Sequence, residues 1–296
     1  MTTAAVGPVA LRAGPLSAAI VADRFLHVVS LCSGGRELLV DPEALPPAGR
    51  VHGSLAGIPL LHPWANRLSA DGFAVAGISA DVDDAAVGRD ARGLPIHGLA
   101  APPGAWGLAA DGDTRAVAHL EHAPVPAFPF AHALDVELRL EAARLTVTTT
   151  LEATGDVAVP VAFGWHPYLR LPGLARERWA LALPARTRLL LDGRGLPTGR
   201  TVGEPAERRA LGADAYDDGF EDLAPGARFV VAGGGQRIAV RMLDGYPAAQ
   251  LFAPPAVDVF CAEPMTAPTD ALRSGRGLRV VAPGEAFTAR FAIEVG

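Results

Sequence analysis

Apolar and polar residues alternate with a period of two wherever a period can be read along this chain. The clearest stretch runs from Asp135 to Leu151. Val136, Leu138 and Leu140 alternate with charged residues, a short polar turn follows, and Leu145, Val147, Thr149 and Leu151 resume the pattern. Successive strand side chains point to opposite faces, so this spacing predicts a β-hairpin with one buried face. The same spacing runs through Ile238, Val240 and Met242, and again through Phe287, Ala289, Phe291, Ile293 and Val295. Shorter apolar runs bounded by Gly, Pro and Asp predict strands over 27–33, 73–82, 117–122, 157–163, 179–183, 188–192 and 257–262. Helices are not expected, because 33 glycines and 26 prolines interrupt almost every window long enough to host one. Many short strands in 296 residues, without a fixed repeat or a Gly/Ser linker, predict a single all-β domain over 1–296. The expected architecture is a large antiparallel β-sandwich with function on loops or on one concave face.

Composition narrows the chemistry. All 26 basic residues are arginines, and the chain has no lysine. Schiff-base aldolases, lysine-anchored pyridoxal phosphate enzymes and Walker-type loops each need a lysine at a fixed place, so all three are excluded. Asn66 is the only asparagine. GC-rich codon usage depletes both residue types, and an asparagine retained against that bias invites a closer look. The net charge is −6 with arginines scattered among acids, which argues against nucleic-acid binding. Cys32 and Cys261 show no zinc-ligand spacing and read as small buried hydrophobes. No apolar run approaches the ~18 residues of a membrane span and no basic-then-apolar leader opens the sequence, so a cytoplasmic protein is expected.

Five segments concentrate polar, aromatic or ionisable residues within apolar strand sequence. Around Trp64-Ala65-Asn66-Arg67 an amide, a planar cation and an aromatic face fall within four residues, a set suited to a polyhydroxylated ligand. Ile96-His97-Gly98 places a histidine before a glycine that permits close backbone approach. Gly164-Trp165-His166-Pro167-Tyr168 joins ring, imidazole and phenol after an apolar strand. Tyr216-Asp217-Asp218-Gly219-Phe220 reads by itself as an acidic turn. Ala262-Glu263-Pro264 puts one carboxylate at the end of an apolar strand, where burial raises its pKa toward that of a general base working near neutrality.

Together with Ala249-Gln250-Leu251-Phe252, these segments resemble the aldose 1-epimerase family, also called galactose mutarotases, over about 53–271. The resemblance implies a β-sandwich that binds a free hexose in an open cleft and interconverts its anomers without metal or organic cofactor. It implies Glu263 as the general base on the anomeric hydroxyl and His166 as the acid at the ring oxygen. It implies His97 as the second histidine, holding substrate near that same oxygen. Asn66, Arg67, Asp217 and Gln250 are implied as sugar contacts, with Trp165 and Tyr168 as part of the sugar-facing surface. The resemblance implies Asp217 over its neighbour Asp218, through the family's spacing of aspartate to phenylalanine.

One departure opens the question of substrate. Where many galactose mutarotases read His-Pro-Tyr-Phe-Asn, this chain reads His166-Pro167-Tyr168-Leu169-Arg170. Relatives that act on hexose 6-phosphates hold the phosphate with arginines, and Arg67, Arg89, Arg92 and Arg170 are the candidates. The alternatives to a free-sugar epimerase are therefore a hexose-6-phosphate 1-epimerase and a non-catalytic carbohydrate-binding protein. A metalloenzyme built on His97 and His166 is not expected, since the His-x-His spacing of a cupin centre is missing. The expected partner is a small sugar, and the expected assembly a monomer or homodimer.

Overall fold

A computed structural model describes residues 7–296. The hairpin forms from His132–Glu141 and Arg144–Ala153, with Glu141 opposite Arg144 across a two-residue turn. Leu134, Val136, Leu138 and Leu140 on one strand, and Leu145, Val147, Thr149 and Leu151 on the other, are all buried, as the period of two requires. The last strand, Ala286–Val295, pairs with Arg144–Ala153 on one side and with Gln236–Asp244 on the other. Its Phe291 and Ile293 lie opposite Met242 and Val240, extending the same apolar face. These strands belong to a nine-stranded antiparallel sheet running from Trp106–Ala110 to Glu207–Ala210.

A second, eleven-stranded sheet packs against the first to make the β-sandwich. Part of its order is Leu26–Ser33, Ile58–Leu61, Gly164–Trp165, Cys261–Met265, Ala248–Ala253, Tyr216–Glu221 and Arg186–Leu191. Buried side chains from both sheets merge into one apolar core that includes Ile20, Val28, Trp165, Leu251, Leu138 and Phe291. Among the described residues the only α-helical segment is Ala271–Ser274, and no helix is long and apolar enough to cross a membrane.

Four readings of the sequence change. Residues 73–82 form two strands, Gly72–Val75 and Ile78–Asp81, because Ala76 and Gly77 both take positive φ, 51° and 78°, and close a tight hairpin turn. The apolar run 257–262 is mostly a turn whose Phe260 exchanges both backbone hydrogen bonds with Leu169, and the strand there is Cys261–Met265. Glu263 therefore sits in mid-strand and not at a strand end. Tyr216–Glu221, which reads as a turn from its acidic pair, is also a strand. Cys261 is buried as expected, but Cys32 is half-buried with its Sγ 3.3 Å from Glu37 Oε2.

Gly98 shows how tightly the strand Pro95–Leu99 is held. It has φ of 72°, and a Cβ there would lie 2.0 Å from the His62 carbonyl oxygen. Gly98→Ala should therefore cost on the order of 2–4 kcal/mol through backbone strain and overlap together. Thermal denaturation checks this. A fall of several degrees in the midpoint is expected, whereas an unchanged midpoint would show that the strand can move away from His62.

Candidate active site

Cross-strand register brings distant residues together in the larger sheet. Gly219 lies opposite Gln250, and Gln250 lies opposite Glu263. Residues directly paired across antiparallel strands share a face, so Gln250 and Glu263 project to the same side. Asp217, two residues before Gly219, joins that face, and Asp218 takes the other. The alternation thus separates the acidic pair: Asp217 Oδ1 accepts a 2.6 Å hydrogen bond from Gln250 Nε2. Gly219 supplies the room for this, since a Cβ there would come 3.2 Å from Gln250 Oε1.

On the other side of Cys261–Met265 runs Gly164–Trp165, and the next residue, His166, faces Glu263. His166 Nε2 lies 3.2 Å from Glu263 Oε1, with both side chains almost sealed from water. The His166 N–H donates to Pro59 O, anchoring the backbone to Ile58–Leu61. Its ring stacks on Tyr168 at 4.1 Å with an interplanar angle of 11°, and Phe252 meets it edge-on at 6.1 Å. Trp165 differs from expectation. The alternation that turns His166 toward Glu263 turns Trp165 into the core between the sheets, where Nε1 donates to Thr149 Oγ1 at 3.2 Å and no part of it lines the cavity.

Asn66 and His97 meet through their backbones, both with positive φ, 58° and 60°. The His97 N–H donates to Asn66 O, and the Asn66 N–H donates to His97 Nδ1 at 3.3 Å. With Nδ1 accepting, the hydrogen of neutral His97 sits on Nε2, which leaves that nitrogen as a donor. The left-handed conformation is one that asparagine tolerates better than almost any other non-glycine residue, and this accounts for the single asparagine at position 66. Its Oδ1 accepts from the Arg67 backbone N–H at 2.8 Å and from Nη1 at 3.3 Å. Arg67 also donates from Nε to Asp90 at 2.8 Å and places Nη2 3.7 Å from Asp217.

These residues line a cavity of about 300 Å³ that holds Asn66, Arg67, His97, His166, Tyr168, Asp217, Gln250 and Glu263, enough room for a monosaccharide. Sequence reasoning missed Arg50, His52, Asp90 and Phe252, which also line it. Phe252 was within reach, as it lies two residues beyond Gln250 on the same face of the strand. Asp90 was not, since only the fold brings it to Arg67. Of the four arginines put forward as phosphate ligands, Arg67 and Arg89 reach the cavity, while Arg92 and Arg170 lie outside it. A larger cavity of about 580 Å³, beside Met242, Tyr246 and Phe287, lies away from all of these groups.

Burial dominates the electrostatics. It pushes Glu263 well above the ordinary carboxylate value, helped by the nearby Asp217 charge and opposed by Arg67. It also pushes His166 down to about 3 and His97 well below the ordinary imidazole value, with His166 and Arg67 adding to the effect on His97. Both trends favour the uncharged forms, so burial biases the pair toward a protonated Glu263 carboxyl beside a neutral His166 ring. Glu263 Oε2, Gln250 Oε1 and His166 Nδ1 are buried without hydrogen-bond partners. Unpaired polar atoms of this kind are costly and point to a polar ligand.

A sequence profile described as aldose 1-epimerase matches residues 33–294. Solved structures with the same fold include a galactose mutarotase related enzyme from Lactobacillus acidophilus, with a TM-score of 0.79, 18% identity and coverage of 98% of this chain and 97% of that one. A galactose mutarotase-like protein from Clostridium acetobutylicum gives a TM-score of 0.80 at 16% identity, covering 98% and 95%. An aldose epimerase homologue from C. elegans gives 0.76 at 13% identity, covering 98% of each chain. No curated protein matches the sequence.

The raised pKa of Glu263 has a consequence for stability. Stability from a group whose pKa is raised by folding is full below its unfolded value, here 4.5, and is lost as pH climbs toward the folded value. Glutamine does not titrate, so the thermal midpoint of Glu263→Gln should gain on that of the parent as pH rises from about 4.5. Melting curves across pH 4–9 check the sign. A gap that moves in the parent's favour would contradict the raised pKa.

Proposed function

The chain belongs to the aldose 1-epimerase family, and we propose that it interconverts the α and β anomers of a free hexose, with Glu263 and His166 moving the protons and the chain acting as one domain. The observation that carries this reading is the 3.2 Å contact between Glu263 Oε1 and His166 Nε2 at the floor of a polar cavity. The anomeric hydroxyl and the ring oxygen are bonded to the same carbon, so the base for one and the acid for the other have to stand side by side. A touching carboxyl and imidazole meet that requirement, and the contact lets their single proton cross to His166 Nε2, the productive form.

In that form Glu263 takes the proton of the anomeric hydroxyl while His166 gives its proton to the ring oxygen. The bond between the anomeric carbon and the ring oxygen breaks, leaving an open aldehyde and a hydroxyl where the ring oxygen was. Rotation about the bond from C1 to C2 exposes the other face of the carbonyl. Reclosure then reverses both transfers, with His166 as base and Glu263 as acid, so the pair ends as it began. His97 Nε2–H serves as the donor that holds the ring oxygen. Asn66, Arg67, Asp217 and Gln250 engage the other hydroxyls, and Tyr168 keeps the His166 ring in its plane. No step calls for a metal or an organic cofactor.

A free sugar suits the charge of the cavity better than a phosphate does. Arg67 is already balanced by Asp90 and Asp217, Arg89 by Asp71 and Asp83, and Arg50 by the Leu45 carbonyl and Glu43. A phosphate ester would have to displace one of these partners before it found an uncommitted cation.

Exchange NMR on freshly dissolved α-glucose and α-galactose tests the proposal. The parent should exceed the buffer rate on at least one sugar, and Glu263→Gln should lose a factor of about 10²–10⁴, the usual contribution of a positioned proton transfer. A parent no faster than buffer, with the sugar still bound, would favour the carbohydrate-binding alternative. Faster turnover of hexose 6-phosphates than of free sugars would favour the phosphate-specific one.

A further inference from the structure

Away from the sugar cavity, three more histidines meet. His62, His122 and His132 each bring a ring nitrogen to within 4.8 Å of the others. His122 and His132 are direct cross-strand partners in the nine-stranded sheet, their rings stacked at 4.6 Å. His62 follows Ile58–Leu61 of the other sheet, so the cluster bridges the two layers of the sandwich. Nothing in the spacing of 62, 122 and 132 marks them as ligands, because the fold alone brings them together.

The far nitrogen of two of the rings is fixed by the backbone. His132 Nδ1 lies 2.7 Å from Phe130 O, and His122 Nε2 lies 3.1 Å from Phe128 O. A carbonyl only accepts, so those nitrogens carry the hydrogens and leave lone pairs on His132 Nε2 and His122 Nδ1. Outer hydrogen bonds of this kind fix the tautomer of metal-ligating imidazoles. His62 Nε2 stands 2.7 Å from His132 Nε2, where it donates its hydrogen to that lone pair. Burial holds all three rings below the ordinary imidazole value, His132 at about 3, so each is neutral near pH 7, as a ligand must be.

We propose that His62, His122 and His132 form a site for one divalent transition metal of the zinc class, which clips the two sheets together behind the strand that carries His97. Three imidazoles with no carboxylate suit zinc, cobalt, nickel or copper better than magnesium or calcium. Zinc–nitrogen bonds of about 2.0–2.1 Å place tetrahedral ligand nitrogens roughly 3.3 Å apart, so binding opens the His62–His132 contact by about half an ångström. His62 gives up the hydrogen on Nε2 and carries one on Nδ1 instead, which keeps the ligand neutral. A fourth position is available toward a separate cavity of about 290 Å³ that borders on His62 and His122 and shares no lining residue with the sugar cavity. The link to the catalytic strand is direct: the Leu99 N–H donates to His62 O at 3.0 Å, two residues from His97.

Titration of the chelator-stripped full chain with Co²⁺, followed by Zn²⁺, tests this. One equivalent of Co²⁺ should produce visible d–d bands, one equivalent of Zn²⁺ should abolish them, and Zn²⁺ should raise the thermal midpoint. His122→Gln, at a half-buried position, should fold, bind Co²⁺ at least ~30-fold more weakly, and lose the midpoint shift. Two results would overturn the proposal. One is a parent that takes up no stoichiometric metal, and the other is binding that survives in His122→Gln but disappears in Glu263→Gln, which would place the metal in the sugar cavity.

Discussion

A carboxyl group and an imidazole, both nearly cut off from water, touch at 3.2 Å where Gly164–Trp165 runs beside Cys261–Met265. Left to themselves, two such groups would lose several kcal/mol of hydration if both were charged. The surrounding architecture sustains the contact by making charge unnecessary. Burial favours the uncharged forms of both groups, the Tyr168 ring packs flat against the imidazole, and the strand register fixes Gln250 beside the carboxyl. Glu263 Oε2, Gln250 Oε1 and His166 Nδ1 remain without protein partners there.

Seen from this pair, the rest of the cavity is a balance of opposite charges around a neutral centre. Arg67 joins Asp90 to Asp217, and Asp217 in turn accepts a hydrogen bond from Gln250, which shares the face of Glu263. The backbone geometry serves the same end. Asn66 and His97 both adopt left-handed conformations and each donates to the other, which holds His97 in one tautomer. Strain of this kind persists only where the surroundings over-determine it. Here the surroundings include Gly98, packed onto the His62 carbonyl, and so the three-histidine cluster lies directly behind the strand that carries His97.

Much of this was legible in the sequence. A period of two identifies the long strands, because burial of one face leaves no other register for Leu134 to Leu151. Motif order brought Glu263, His166, His97, Asn66, Arg67, Asp217 and Gln250 forward, and all of them line the one cavity. What misled was local. The acidic pair in Tyr216–Glu221 looks like a turn because sequence alone does not show that Asp217 and Asp218 face opposite sides of a strand. Trp165 looks like a sugar platform because its neighbour His166 lines the cavity, although alternation sends adjacent residues in opposite directions. What stayed hidden was long-range: Asp90 beside Arg67 and the meeting of His62 with His122 and His132 arise only from the packing of distant segments.

Burial keeps the His166 ring neutral in the free protein and biases the proton of the pair onto Glu263. Nitrogen-15 NMR of the His166 ring, followed in the free protein from pH 5 to 8, tests it most directly. Ring shifts that stay unchanged over that interval are expected. A full titration step centred near the ordinary imidazole value of about 6.5 would contradict it.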